Sequence, residues 1–249
     1  FNPAILRARV GSVLEKKLLR AEVRRQLVRL EAEMAHARRQ QLAMVPTVFP
    51  QSHGPYDLHA IMRPALEVGG DLYDFFHISP DTLCVVIGDV SGKGMPAALF
   101  MARTRSLFRA GALQHHAIAG QMPRASDLAC LLNDELCKNN DDCLFVTLIA
   151  GLLHLPTRSF SFVNAGHLPP LLLRATGAVE IDCVVDPPIG AMETSAYRDN
   201  ELTLQAGEAL VFITDGLSEM EDVDCKMYST TRLLRDLDEV PRADAQSIV

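Results

Sequence analysis

The chain contains no tryptophan, and aromatic residues of all kinds make up only 6% of its 249 positions. That argues against a platform that stacks the bases of single-stranded nucleic acid, which needs rings at intervals. No apolar run approaches the length that spans a bilayer, and the first residues lack the pattern of a secretory signal. The six cysteines (Cys84, Cys130, Cys137, Cys143, Cys183 and Cys225) include no Cys-x-x-Cys pair. They read as small core residues of a reduced, cytoplasmic protein, not as zinc ligands or disulfides. Internal repeats and low-complexity tracts are absent. So is proline between residues 4 and 45, where Gly11 is the only glycine.

Charge is unevenly spread. The net value is −7, yet residues 1–45 carry ten Lys/Arg against four Asp/Glu. The remainder is strongly acidic. An acidic body makes nucleic acid an improbable partner and suits carboxylates gathered around cations. With 48% hydrophobic residues there is ample material for a core.

The proline-free stretch alternates apolar and charged residues at helical spacing. Val23, Leu27, Leu30, Met34 and Ala37 step 4-3-4-3, the seam of a left-handed coiled coil, and predict a homodimer paired through this helix. Pro46 and Pro50 end it in a stiff linker. Beyond, strand-like runs fall at 57–63, 72–77, 82–88, 145–154, 159–164, 171–174, 179–183, 198–203 and 209–214. Helical patterns cover 95–110, 124–137 and 229–237. Short turns between neighbouring strands favour hairpins over parallel crossovers. The expected fold is therefore α+β: antiparallel sheets with helices outside, preceded by a long helix.

Three turns carry the chemistry. Val85-Val86-Ile87-Gly88-Asp89-Val90-Ser91-Gly92-Lys93-Gly94 places a carboxylate at the tip of an apolar strand, before two glycines and a helix opened by Pro96. Val68-Gly69-Gly70-Asp71 and Phe212-Ile213-Thr214-Asp215-Gly216 have a similar plan. Each alone is an ordinary strand-end turn. Together they supply oxygen ligands of the kind that Mg²⁺ and Mn²⁺ take, and a pair of such ions can deliver water to phosphorus in line.

These turns, with Met95-Pro96-Ala97-Ala98-Leu99 and Asn164-Ala165-Gly166-His167-Leu168-Pro169-Pro170, appear in an order that closely resembles the SpoIIE/RsbU-type branch of the PPM metal-dependent serine/threonine phosphatases. The resemblance implies a sandwich of two antiparallel sheets flanked by helices, with two Mg²⁺ or Mn²⁺ ions at one end. It makes Asp89 the bridging ligand, gives Asp71 and the Val90 carbonyl to one ion, and gives Asp215 to the other. It further implies a phosphoserine or phosphothreonine substrate on a STAS-type anti-sigma-factor antagonist. The family's usual Asp-Asp-x-Thr segment is not found, so the phosphatase domain, residues 46–249, is expected to be truncated before its last strand. Phe1-Asn2-Pro3-Ala4-Ile5-Leu6-Arg7-Ala8-Arg9-Val10 resembles the last helix of a receiver domain. Residues 1–45 are then a receiver end and coiled-coil linker, and the phosphatase is a response-regulator output. Arg63, Lys93 and His167 are weaker candidates for contact with substrate phosphate or leaving group. The rival expectation is a phosphatase-like adaptor that binds a regulatory protein without catalysis. A face of the helix after Asp89, comprising Leu99, Phe100, Leu107 and Phe108, is expected in the core.

Overall fold

Helix α1 (Pro3–Leu42) starts where the Asn2 side chain accepts a hydrogen bond from Ala4 N at 3.0 Å, with proline in the first turn. The computed structural model describes residues 2–50, 56–64, 68–220, 227–240 and 244–249. Phe1 and Cys225, named in the readings above, lie outside them. From Asn2 to Glu33 the helix is exposed, and only its last turns, at Met34, Ala37 and Gln41, pack against the body. Val23, Leu27 and Leu30 are each more than half exposed, so the seam is uncovered within one chain.

The body begins with β1 (Leu72–Ser79) and β2 (Thr82–Val90), a hairpin in which Leu72 pairs Gly88 and Ser79 pairs Thr82. Helices α2 (Met95–Ala119) and α3 (Ala125–Cys137) follow, then β3 (Val146–His154) and β4 (Ser159–Ala165). The order β1-β2-β3-β4 is antiparallel throughout. β5 (Leu171–Arg174) and β6 (Gly177–Glu180) start a second sheet. β7 (Val185–Asp186) and β8 (Asn200–Thr203) return to β4, while β9 (Ala209–Val211) joins β5. The chain closes with α4 (Asp215–Ser218), α5 (Thr230–Glu239) and α6 (Ala245–Ile248).

Alternation along the strands builds the layers. One face of the large sheet, through Leu72, Phe76, Val86, Val90, Leu148 and Val163, packs against Met101 and Phe108 of α2 and Leu128, Leu132 and Leu136 of α3. The other face sends Ile149, Phe160 and Phe162 against Leu210 and Phe212 of the small sheet. Leu171, Leu173 and Ile213 then meet Leu233 and Leu237 of α5. The stack is helix, sheet, sheet, helix.

Gly151 sits where the two sheets press closest. A Cβ there would lie 2.5 Å from the Phe160 ring and 2.8 Å from Phe162 Cβ, and both phenylalanines are fully buried. Gly151→Ala is therefore expected to lose about 1–3 kcal/mol, the usual cost of overpacking, in urea unfolding. A loss under about 0.5 kcal/mol would mean that the inter-sheet layer yields freely.

Several expectations change in detail. The sheets are antiparallel except for the β4–β7 pair, which is parallel. No strand forms at 57–63, where Ile61 is exposed and finds no ladder partner. α2 continues to Ala119, because Gly111 is tolerated within it and Gly120 caps it at φ 63°. Leu99 is not in the core. The buried stripe of α2 runs through Ala97, Met101, Thr104, Phe108 and Ala112, which leaves Leu99 on the opposite side, 64% exposed. Among the cysteines, Cys84 is buried, but Cys143 lies exposed in a turn at φ 52°. All five described cysteines are free.

Candidate metal centre

The antiparallel register brings two of the acidic turns together. Leu72 pairs Gly88, so the next step of the ladder sets Asp71 opposite Asp89, the penultimate residue of β2. Backbone contact there depends on Gly70. A Cβ at that position would lie 2.6 Å from the Val90 carbonyl oxygen and 3.0 Å from Asp89 Oδ1. Only a residue without a side chain lets the Asp71 turn approach those two oxygens.

The third turn comes from the other sheet. β9 runs toward Thr214, the N-cap residue of α4, and Asp215 is the first residue of that helix. The Thr214 side chain stands close enough to the Asp71 carboxylate to draw its pKa down, which places the two turns side by side.

The electrostatics follow. Partial burial first, then the charges of Asp71 and Asp215, push the Asp89 pKa up to about 7, against opposing pulls from the Val90 main chain and Lys93. Burial also raises Asp71, offset by the Thr214 side chain and reinforced by the Asp215 charge. Three carboxylates thus share one end of the sandwich and feel one another. They are not packed into a closed cage: among the described residues, no three His, Cys, Asp or Glu side chains are grouped closely enough to hold an ion by themselves.

The residues fit a hard divalent cation. The donors are oxygens only, three carboxylates and the Val90 carbonyl. Their mutual repulsion is the kind a cation relieves. Mg²⁺ in particular keeps several waters and needs only one or two carboxylates, so an open set suits it.

His167 is brought to the same end. It is 6% exposed, and its Nδ1 lies 2.9 Å from Thr147 Oγ1. Thr147 pairs Asp89 across β2 and β3, and its hydroxyl lies 3.4 Å from the Asp89 carbonyl oxygen. Burial drives the His167 pKa down to about 4, with the Ile213 main chain and the Asp215 charge acting the other way. The imidazole is therefore neutral near pH 7, and its Nε2 has no hydrogen-bond partner among the described residues. Its backbone is held separately: His167 N donates to Asn164 Oδ1 at 2.8 Å, and Asn164 Nδ2 donates to the His167 carbonyl at 3.0 Å.

Lys93 is exposed beside the Asp89 turn and acts on that carboxylate only through its charge. Arg63 is exposed on the coil ahead of the Asp71 turn and makes no ion pair with the acidic residues among the described ones. Asp74 of β1, three residues after Asp71, faces α2 and pairs with Arg105 and Arg109. Sequence reasoning missed Thr147, a lone threonine in an apolar strand with no local signal. It quoted Thr214 only as part of a motif. The pairing that gives each a role is long-range.

The sandwich with oxygen-bearing turns at one end is the fold of PP2C-type phosphatase domains. It matches the SiaA-PP2C domain of Pseudomonas aeruginosa at a TM-score of 0.70, with 16% identity, over 88% of this chain and 86% of that one. The chain belongs to the SpoIIE family, whose description, Stage II sporulation protein E (SpoIIE), it matches over residues 79–249. Protein IcfG of Synechocystis sp. (strain ATCC 27184 / PCC 6803 / Kazusa) is 29% identical over 89% of the chain and 38% of its own length. Phosphoserine phosphatase RsbU of Bacillus subtilis (strain 168) is 26% identical over 76% of the chain and 54% of its own length. The chain thus spans between a third and just over half of these relatives. No helix among the described residues is long and apolar enough to cross a membrane.

Proposed function

We propose that this chain is a metal-dependent phosphoserine/phosphothreonine protein phosphatase, the output domain of a bacterial response regulator. The observation that carries the reading is the close approach of the Asp71 turn, at Gly70, to the Val90 carbonyl and Asp89 Oδ1, with the Asp215 charge acting on both carboxylates. The similarity to a phosphoserine phosphatase supports it.

In this reading Asp71, Asp89, Asp215 and the Val90 carbonyl are the groups that would hold two Mg²⁺ or Mn²⁺ ions. Bound there, divalent ions supply Lewis-acid stabilisation of phosphoryl charge and lower the pKa of the attacking water. The protein's share is placement. Gly70 lets the Asp71 turn close on Val90, Thr214 orients Asp71, and Thr147 with neutral His167 braces the far side of Asp89. Lys93, and Arg63 from the preceding coil, offer positive charge to a substrate phosphate. The substrate is a phosphorylated STAS-type anti-sigma-factor antagonist. Two copies pair through the exposed seam of α1, and the protein works in the cytoplasm.

Incubation of the full-length protein with a STAS protein phosphorylated on serine tests the proposal. Phosphate release is expected with Mn²⁺ or Mg²⁺ and is expected to stop with EDTA. Tight binding of the phosphoprotein without metal-dependent release would favour the adaptor instead.

A further inference from the structure

The last turn of α1 grips the acidic turn through one amide. Gln41 is a polar residue only 6% exposed. Its Nε2 donates to the Gly69 carbonyl at 2.7 Å, and its Oε1 accepts from Gly69 N at 3.1 Å. One side chain therefore satisfies both backbone polar groups of Gly69. The next residue is Gly70, whose backbone lies against Val90 O and Asp89 Oδ1, and the one after is Asp71. Nearby, Val45 is buried and the Tyr73 hydroxyl donates to the Pro46 carbonyl at 2.8 Å, so the segment after the helix is also docked on β1.

Position and residue type make this more than ordinary packing. The stripe Val23, Leu27, Leu30, Met34 and Ala37 advances in steps of four and three, and one further step of four lands on Gln41. The stripe stays apolar through Met34 and Ala37, which already pack against the body. An amide stands at the next step instead, and it reads a single backbone unit in both hydrogen-bonding senses. Buried polar groups cost stability unless paired, and here the pairing is complete on both sides.

We propose that Gln41 is a positioning residue for the metal turn. By holding Gly69 it fixes Gly70 against the Val90 carbonyl and sets how Asp71 is presented beside Asp89. It also makes the turn sensitive to α1: a helix that shifts or rotates at its seam must carry this amide with it. The inference rests on the metal-centre reading above, with Gln41 acting through Gly69 and not as a ligand.

The test uses the full chain and Mn²⁺ binding by isothermal titration calorimetry, with the Mn²⁺ concentration for half-maximal activity as a second readout. Gln41→Met keeps length and helix propensity but loses both hydrogen bonds. It is expected to weaken Mn²⁺ binding by about ten- to a hundredfold, the scale on which residues that orient a ligand act. Tyr73→Phe removes the neighbouring tie to Pro46 without touching Gly69 and is expected to bind Mn²⁺ like the wild type. If Gln41→Met does not fold, Gln41→Glu replaces it. That variant keeps the bond from Gly69 N, loses the one to Gly69 O, and is expected to bind several-fold more weakly. Wild-type affinity in the Gln41 variant, or an equal loss in Tyr73→Phe, overturns the proposal. Asp89→Asn separates this failure from a failure of the metal centre itself. A wild-type chain that binds no Mn²⁺, or an Asp89→Asn chain that binds it normally, removes both.

Discussion

Asp89→Asn is expected to leave the chain folded and to reduce metal-dependent phosphate release by at least about a hundredfold, the scale on which a single preorganised electrostatic group acts. The substitution is nearly isosteric. It removes the carboxylate on which both Asp71 and Asp215 act. Asparagine offers a neutral oxygen and an NH₂ group that cannot accept, so a cation held there would lose charge balance and one anionic ligand together. Colorimetric phosphate release from a phosphoserine protein, at saturating Mn²⁺, reads the loss. Turnover within about threefold of wild type would remove Asp89 from the centre of the scheme.

The same variant has a second expected signature, opposite in direction. In metal-free protein burial and its acidic neighbours push the Asp89 pKa up to about 7, against an ordinary 3.8. A carboxyl raised in this way favours the fold while protonated. Its contribution is fully present below the unfolded pKa and is lost as pH rises through the folded one. Asp89→Asn should therefore melt with the wild type near pH 4. Above pH 7, in EDTA, it should melt a few degrees higher. Added Mn²⁺ should reverse the order by stabilising only the wild type. Lower activity together with higher metal-free stability is hard to obtain from a merely damaged fold.

How far the sequence disclosed all this depended on distance along the chain. The β1–β2 hairpin was legible because its apolar alternation and the Gly-Asp turns are local. Asp71, Asp89 and Asp215 were legible because each stands at a strand end beside glycine. Local patterning also misled. Residues 57–63 alternate like a strand, but no neighbouring strand offers a ladder, so the backbone stays irregular. The strand before Asp215 was expected to run to Thr214, yet β9 ends at Val211 and Thr214 stands at the N-cap position of a short helix. The braces around the site were illegible for a different reason. Thr147 meets Asp89 only through the β2–β3 register, and Gln41 meets Gly69 across 28 residues, including a linker whose path no spacing rule fixes.

Asp74 gives the largest expected stability effect. Its side chain is 1% exposed, and both its oxygens lie 2.8 Å from Arg109 Nη1, with Arg105 Nη2 at 3.1 Å. Arg109 also lies over the Phe76 ring at 4.4 Å. The cluster fastens α2 to β1, and these elements adjoin the Asp89 and Asp71 turns respectively. Asp74→Asn leaves two guanidinium groups, Arg105 16% and Arg109 37% exposed, facing one buried neutral amide. Breaking a buried pair from one side costs about 3–5 kcal/mol, because the remaining charge is desolvated without compensation. Arg105→Met should cost less, since Arg109 still neutralises Asp74. Replacing the whole cluster, as Asp74→Leu with Arg105→Met and Arg109→Met, should recover most of the loss, because no charge remains buried. Urea unfolding of the four proteins measures this order. If Asp74→Asn costs under about 1 kcal/mol, or the triple variant is the least stable, the cluster is solvated in solution and does not hold α2. If the order holds, phosphate release by the triple variant shows whether α2 needs this ion cluster or only a packed contact to keep the Asp89 turn in place.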